Sequence, residues 1–471
     1  MLLQRKSFPQ EPNSSGSPVP PPRFDRRGLG SGRSLMALMT LGLVALGTVA
    51  PASAQAQSLQ ALYDAARAYD ATYLAAKSLA DSVQYRAAQA DALLLPNLGL
   101  SGNLGSNYVD LPIGASRSSR SSGAALSGKQ PLFNRANGFT VDQAKKSLEV
   151  SRNDLETAEQ DLILRVAQAY FDVLGAQDTL GTTRASKAAI SEQLASAKRN
   201  FEVGTATITD TREAQARFDL ATAQEIAADN DLLSKRIALD QLVGRSGVMP
   251  LQLAVPVALP AVAPANVDTW VGNSGTQHPA VRKAALALDI ARLETEKARA
   301  ANLPTVDAVA SLNTSRLSGT SSSGLPGTTN SASIGLQLAM PLYAGHSIQN
   351  RVKETMVLED KSTNDLEAAR RIVAQATRQA YFGVQSGTAQ VKALEAAESS
   401  SQLALEATQL GYKVGVRVNL DVLNAQTQLF TTRRDLAKAR YDVLLGGLRL
   451  RQAAGQLKAD DVWAVDKLLV K

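Results

Sequence analysis

The chain repeats itself, and this duplication limits the possible folds more than any other feature of the sequence. The segment FEVGTATITDTREAQ at residues 201–215 returns as YKVGVRVNLDVLNAQ at residues 412–426. Three further segments recur with separations of 208 to 211 residues: LLPNLGLSGNLG (94–105) as NLPTVDAVASLN (302–313), KQPLFNRAN (129–137) as AMPLYAGHS (339–347), and VAQAYFDVL (166–174) as TRQAYFGVQ (377–385). The repeated unit is large enough to be a domain, so two related halves share one function.

Residues 1–54 are predicted to be a cleaved signal peptide. RFDRRGLGSGR supplies positive charge, SLMALMTLGLVALGTVA supplies an apolar stretch, and PASA ends in the small-x-small pattern of a cleavage site after Ala54. A membrane anchor is the alternative, but an anchor needs about 20 apolar residues, and this stretch is shorter and interrupted by glycine. The long, Pro-rich start leaves open a start codon downstream of Met1.

The charge balance and the absence of cysteine exclude several classes of protein. The whole chain has a formal net charge of +7, and residues 1–54 hold six basic and two acidic residues, so the remainder carries +3. We therefore expect no nucleic-acid partner. Because the chain has no cysteine, we expect no disulfide, no catalytic thiol and no lipid anchor on cysteine.

Each half is predicted to contain a helix followed by two strands. The helical patterns over residues 58–94 and 278–302 each end at a Leu-Pro pair. Alternating apolar residues then predict strands of roughly ten residues with one apolar face: Leu98, Leu100 and Leu104; Val306, Ala308, Ala310 and Leu312; Ile334, Leu336, Leu338 and Met340. A small soluble hairpin is the alternative. Two features favour transmembrane strands instead: the chain carries an export signal, and no nearby segment could cover the apolar face.

After the strands, each half is predicted to form one long helical hairpin. No proline interrupts the sequence from about Asn134 to Val203, and apolar residues recur there at heptad spacing, as in a coiled coil. Such a helix would be about 100 Å long. Glu359 interrupts the same pattern in the second half. Gly204 and Gly415 can adopt the left-handed conformation that ends a helix, so the Val-Gly turn is the tip of each hairpin.

The predicted strands require more than one chain. Four strands cannot close a barrel, and an open sheet edge in lipid leaves backbone groups unpaired at a cost of several kcal/mol each. The smallest closed transmembrane barrels have about eight strands. Two chains would supply eight strands and three would supply twelve, and this argument does not choose between them.

The motifs LPNLGL, LPTVDA, QPLF, MPLY, AYFDVL, VGTATITD and YKVGVRVNLDVLNAQ, in a duplicated exported chain, resemble the TolC family of outer-membrane efflux and type I secretion channels. The resemblance covers residues 57–457. It implies a homotrimer in which a twelve-stranded β-barrel continues into a periplasmic α-helical barrel. The repeats would then span residues 55–244 and 276–457, and the Pro-rich linker 245–275 and the tail 458–471 would form an equatorial belt.

The same resemblance implies an exit duct in the outer membrane that extends into the periplasm. Its expected partners are outer-membrane lipid, a periplasmic adaptor (membrane fusion protein) and an inner-membrane transporter of the RND or ABC type. We expect the adaptor to dock near the hairpin tips, at Val203, Gly204, Val414 and Gly415. A periplasmic coiled-coil adaptor or scaffold without a pore is the alternative function, and an enzyme in a barrel is a third.

The resemblance also implies a gate at the tips. Tyr412 and Arg417 stand where the family has the inner linkers, and their expected partners are Gln193, Thr209 and Asp210. Asp421 would give a ring of one carboxylate per subunit, which favours cations. Many members carry a second Asp where this chain has Asn424, so the ring would hold three carboxylates rather than six.

Asp210 and Asp421 also have an ordinary explanation. Each falls in the first turn of a helix, where a carboxylate complements the helix dipole by about 0.3–1 kcal/mol. We expect a dual role. The two histidines, His278 and His346, lack ligand spacing to Asp or Glu, and no acid, base or nucleophile is clustered. We therefore expect no enzymatic activity, no cofactor and no metal.

Overall fold

The computed structural model describes residues 57–113, 115–254, 257, 259–320 and 325–470. The predicted signal peptide and its cleavage site lie outside these residues. The first half contains α1 (Leu59–Tyr69), α2 (Ala71–Asp91), β1 (Asn97–Val109), β2 (Arg117–Phe133), α3 (Arg135–Glu202) and α4 (Ile208–Val243). The second half contains α5 (Val267–Gln277), α6 (Pro279–Ala300), β3 (Thr305–Gly319), β4 (Gly327–Ala339), α7 (Ser347–Lys413) and α8 (Asn419–Ala453), and α9 (Ala459–Asp466) follows.

The order of elements confirms the duplication, because both halves run helix, helix, strand, strand, long helix, helix. Helices α5 and α9 were not predicted from the sequence. The prediction of one helix over residues 58–94 is wrong at Asp70, which has an extended backbone and separates α1 from α2. The carboxylate of Asp70 accepts a hydrogen bond from the backbone N–H of Tyr73 at 2.7 Å and so caps α2. Both terminal nitrogens of Arg165 on α3 also donate to it, at 2.8 Å each.

The long helices have the predicted length and boundaries. Helix α3 has 68 residues and starts after Asn134, whose side chain accepts from the backbone N–H of Asn137. Helix α7 has 67 residues. Glu359 breaks the heptad pattern because α6 packs there: the Glu359 carboxylate accepts from the Thr295 hydroxyl at 3.3 Å and lies 3.5 Å from the Arg292 guanidinium. No helix among the described residues has the length and hydropathy needed to cross a membrane.

The four strands form one antiparallel sheet in the order β1-β2-β3-β4. They have 13, 17, 15 and 13 residues and are longer than the ten predicted. In register, Leu100 lies opposite Leu126, Leu126 opposite Leu312, and Leu312 opposite Ala332. Most of the large apolar residues of the four strands therefore share one face, which this single chain leaves open: Leu104 is 89% exposed and Ile334 90%.

The opposite face of the sheet is polar. Its residues include serines and asparagines at the alternate positions, and the Lys129 ammonium lies 2.8 Å from the Asp307 carboxylate. The Ser311 and Ser333 hydroxyls of neighbouring strands lie 2.9 Å apart. One apolar and one polar face are the arrangement expected of strands that separate lipid from a hydrated lumen.

The main core lies where α3 meets α1, α8, α9 and the linker. Tyr170 and Phe171 of α3 are buried there, and the Tyr170 hydroxyl donates to the carbonyl of Leu251 in the linker at 2.8 Å. The Tyr441 ring of α8 stacks on Phe171 at 5.7 Å, and its hydroxyl donates to Asp178 at 2.5 Å. Burial raises the pKa of the Asp178 carboxyl. The linker and the direct contacts between α3 and α8 thus join the two halves in this core.

We expect Asp70→Ala to lower the free energy of unfolding by about 1 kcal/mol, because the variant loses the cap of α2 and leaves Arg165 unpaired. The hydrogen bonds from Arg165 lower the pKa of Asp70, so its stabilisation is full above pH 3.8 and is lost as the pH falls further. Thermal unfolding followed by circular dichroism would measure the difference in stability between the wild type and the variant. This difference should become smaller in acid, where Asp70 is protonated in both states of the wild type. The matched control Asp64→Ala removes an exposed carboxylate from α1, and equal effects of the two variants would contradict this account.

Candidate functional site at the hairpin tips

The two hairpin tips have the same backbone. Gly204 and Gly415 both have φ of +80°, a conformation that L side chains rarely adopt. At the first tip the Thr205 N–H donates to the carbonyl of Asn200 at 2.8 Å, and at the second the Val416 N–H donates to the carbonyl of Gly411 at 2.9 Å. Such bonds satisfy the last carbonyls of a helix. The predicted helix-ending role of both glycines is therefore confirmed.

The helices that leave the two tips begin differently. At the start of α4, the Thr207 hydroxyl accepts from the Asp210 N–H at 3.2 Å, and the Asp210 carboxylate accepts from the Thr207 N–H at 3.0 Å. This reciprocal pair is a capping box. At the start of α8 the equivalent of Thr207 is Val418, which has no oxygen to complete the box. The Asp210 carboxylate is thus hydrogen-bonded within the capping box of its own helix, whereas the Asp421 carboxylate takes part in no such box.

Asp421 instead pairs with Arg417, the residue one turn before it. The Arg417 guanidinium lies 3.6 Å from the Asp421 carboxylate, whose side chain is 37% exposed. A Cβ placed on Gly411 would come within 2.8 Å of the Arg417 side chain, so glycine at this position leaves room for that side chain. The second tip therefore presents a partly exposed ion pair where the first tip presents a helix cap.

Three polar contacts join the first hairpin to the second. The Gln193 side-chain amide donates to Oδ1 of Asn419, and the Asn200 side-chain amide donates to the Tyr412 hydroxyl at 3.0 Å. The Arg217 guanidinium donates to Oδ1 of Asn424 at 3.0 Å. Beside them Leu423 of α8 is buried among apolar residues of the first hairpin, including Ile190, Leu194, Ala197, Ala214 and Ala221. Each chain thus holds its own two hairpins together near the tips.

The predicted gate residues lie together at these tips, but within one chain they have other partners. The Tyr412 hydroxyl accepts from Asn200 rather than from Gln193, and Arg417 pairs along its own helix. Thr209 is exposed and Asp210 caps α4. Links between these residues on neighbouring copies of the chain stay predictions.

Sequence reasoning missed Asn200 and Arg217, which contact Tyr412 and Asn424. The repeat does contain a signal for Asn200: its equivalent in the second half is Gly411, so the two tips differ in side chain at that position. No comparable signal marks Arg217. At the tips themselves Val203 is 72% exposed and Val414 66%, so each turn presents apolar surface.

Residues 62–245 and 270–456 match the family model described as outer membrane efflux protein. The chain belongs to the outer membrane efflux protein family. Outer membrane protein TolC of Vibrio cholerae serotype O1 is 32% identical over 423 residues, which are 90% of this chain and 96% of that protein. Alkaline protease secretion protein AprF of Pseudomonas aeruginosa is 33% identical over 396 residues, which are 80% of each chain.

Solved structures of other channels share the fold. CusC superimposes with a TM-score of 0.74 at 18% identity, covering 85% of this chain and 92% of that one. VceC of Vibrio cholerae, an outer membrane protein, has a TM-score of 0.71 at 18% identity, covering 84% and 96%. The predicted TolC-family membership, the channel fold and the outer-membrane location with a periplasmic extension are therefore confirmed. The alternative of a pore-free adaptor is not favoured.

Within this family architecture we expect Asn424→Asp to increase the preference of the aperture for cations. The variant adds a carboxylate per chain near Asp421, although Arg217 would neutralise part of its charge. The cation-to-anion permeability ratio, measured from reversal potentials in planar bilayers, should rise by about two-fold or more. The control Asp219→Asn changes an exposed carboxylate on α4 and should leave the ratio unchanged. An unaltered ratio in Asn424→Asp would mean that the constriction is lined by other residues.

Proposed function

We propose that the chain is the outer-membrane exit duct of a tripartite efflux pump or a type I secretion system. It passes substrates from an inner-membrane transporter to the exterior through a gated periplasmic tunnel. The observation that carries this proposal is one sheet with an apolar face joined directly to helices of 68 and 67 residues in a chain of this family. One protein can thereby line a path through lipid and about 100 Å beyond it.

Three copies make the complete duct. Strands β1 and β4 each have one neighbour in the described residues, so each leaves an unpaired edge. Pairing of β1 in one copy with β4 in the next removes every edge, and three copies supply twelve strands. The polar face, with its Lys129–Asp307 pair, then lines the lumen, and the apolar face contacts lipid.

The duct is passive. Its polar side chains at the tips serve as helix caps and links between hairpins, and we assign no catalytic step to them. Energy comes from an inner-membrane transporter of the RND or ABC type, which a periplasmic adaptor couples to the duct. The exposed valines beside Gly204 and Gly415 offer that adaptor an apolar contact. Relatives are named for protease secretion (AprF, PrtF) and for solvent efflux (SrpC), and a duct of this kind suits either cargo.

Opening requires the α7–α8 hairpin to move away from the α3–α4 hairpin near the tips. The movement breaks the three polar contacts made by Asn419, Tyr412 and Asn424. Each hydrogen bond contributes about 1 kcal/mol, so the latch of one chain amounts to a few kcal/mol. A link of this size holds the closed state and still yields to a docking partner.

We expect the double variant Tyr412→Phe, Arg417→Ser to raise the single-channel conductance in planar bilayers several-fold. The first change removes the hydroxyl that accepts from Asn200, and the second removes the cation beside Asp421. The control Arg371→Ser removes an arginine of α7 that also pairs with a carboxylate one turn away, far from the tip. Unchanged conductance in the double variant would refute a role of Tyr412 and Arg417 in holding the closed state. A wild-type protein that forms no channel would refute the proposed function itself.

A further inference from the structure

The apolar face of the sheet ends in a polar region on the side away from the helices. Strand β2 ends at Phe133, next to α3, so the β1–β2 turn lies at the far end of the sheet. On the apolar face, β2 changes from Leu126 to Ser122 and Arg120 as it approaches that turn. Strand β3 likewise changes from Leu312 to Thr314, Arg316 and Ser318 as it approaches the same end.

The register brings Arg120 and Arg316 together. Arg120 lies opposite Ser318, and Ser122 lies opposite Arg316, so the two arginines are diagonal neighbours on one face. The backbones of diagonal neighbours lie about 7 Å apart, within reach of long side chains. They border a shallow depression whose lining includes the serines of the same face, Ser106, Ser122 and Ser318, and also Leu104. Both arginines are exposed, and among the residues that the structure describes neither has a carboxylate partner, whereas Lys129 on the other face is paired with Asp307.

Two observations place this cluster at the level of lipid headgroups. An arginine on a lipid-facing strand costs about 2–4 kcal/mol at the bilayer midplane and little near the interface. Tyr108 lies on the same face one row beyond Ser106 and is 68% exposed, and tyrosine is enriched at the membrane–water interface. Strands β2 and β3 are the inner strands of the sheet, so copies that pair with β1 and β4 leave the cluster uncovered.

We propose that Arg120 and Arg316 bind the phosphate groups of lipid headgroups in the outer leaflet of the outer membrane. The inference rests on the proposed function, which directs the apolar face to lipid and the helices to the periplasm. Two guanidinium groups can bind one phosphate, or two adjacent phosphates, through paired N–H donors, and the serine hydroxyls supply further donors. The site anchors the sheet at a fixed depth, because the apolar rows lie on one side of it and Tyr108 on the other.

The test compares lipid binding by the purified, assembled protein and by the double variant Arg120→Gln, Arg316→Gln. The probe is lipid A with two phosphates, and the same lipid without phosphate serves as the second probe. Binding is measured by native mass spectrometry in detergent. We expect the double variant to bind the phosphorylated lipid about thirty-fold more weakly. We expect the dephosphorylated lipid to bind both proteins equally weakly, and equimolar inorganic phosphate not to displace the lipid.

The matched control is Arg117→Gln, because Arg117 lies on the same strand at the opposite parity and so on the other face. It should bind as the wild type does. The variant Arg120→Lys, Arg316→Lys keeps both positive charges but loses the paired donors, so its affinity should lie between those of the wild type and the glutamine variant. Equal affinity of the wild type and the glutamine variant, or equal affinity for the two lipids, would overturn the proposal. Displacement by inorganic phosphate would assign the site to a free anion and would overturn it also.

The lipid-binding measurement and the conductance measurement test the two proposals independently. The glutamine variant should conduct in planar bilayers as the wild type does, because its changes lie outside the lumen and the tips. If the wild type formed no channel but bound lipid A through these arginines, the proposed function would fail while the lipid site stood. If the wild type conducted and the arginines had no effect on lipid binding, only the lipid site would fail.

Discussion

In the part of the chain that the structure describes, the outer edges of β1 and β4 have no partner, and the rest of the structure depends on this constraint. Backbone N–H and C=O groups without partners are costly in lipid, so this sheet is stable in a membrane only when other copies pair with it. The same pairing gives the apolar face to lipid and the polar face to a lumen. It also arranges the long helices of all copies around one axis, because each strand pair leads directly into a helix.

Duplication gave the chain two hairpins that have since taken different roles. The backbones of the tips agree at Gly204 and Gly415, but Thr207 in the first corresponds to Val418 in the second. Because of that difference Asp210 forms a capping box, whereas Asp421 is half-buried and pairs with Arg417. The first hairpin thus has a rigid start to its returning helix. The second keeps a charged group available at the tip, where a duct would control passage.

Much of the fold could be predicted from the sequence because its signals are local. Helix α3 starts after Asn134 because that side chain caps its first turn. The hairpin tips lie at Gly204 and Gly415 because glycine readily adopts the left-handed conformation that ends a helix. The break at Asp70 was missed although an Asp that caps a helix is a local signal, because the apolar pattern continues across it and its second partner, Arg165, is far away in sequence. The hairpin links were likewise missed, because which residue faces Tyr412 depends on the angle at which two helices pack.

Disulfide cross-linking between copies tests the central claim most directly, and the chain has no cysteine of its own to interfere. Cysteines are introduced in pairs, one on the polar face of β1 and one on the polar face of β4, oxidised in membranes and resolved on gels without reductant. The positions to combine are Gly99, Ser101 and Asn103 with Ser331, Ser333 and Gly335. We predict bands at two and three times the mass of one chain, and none above. Only single chains across all combinations, from a protein that stays in solution without detergent, would contradict the account.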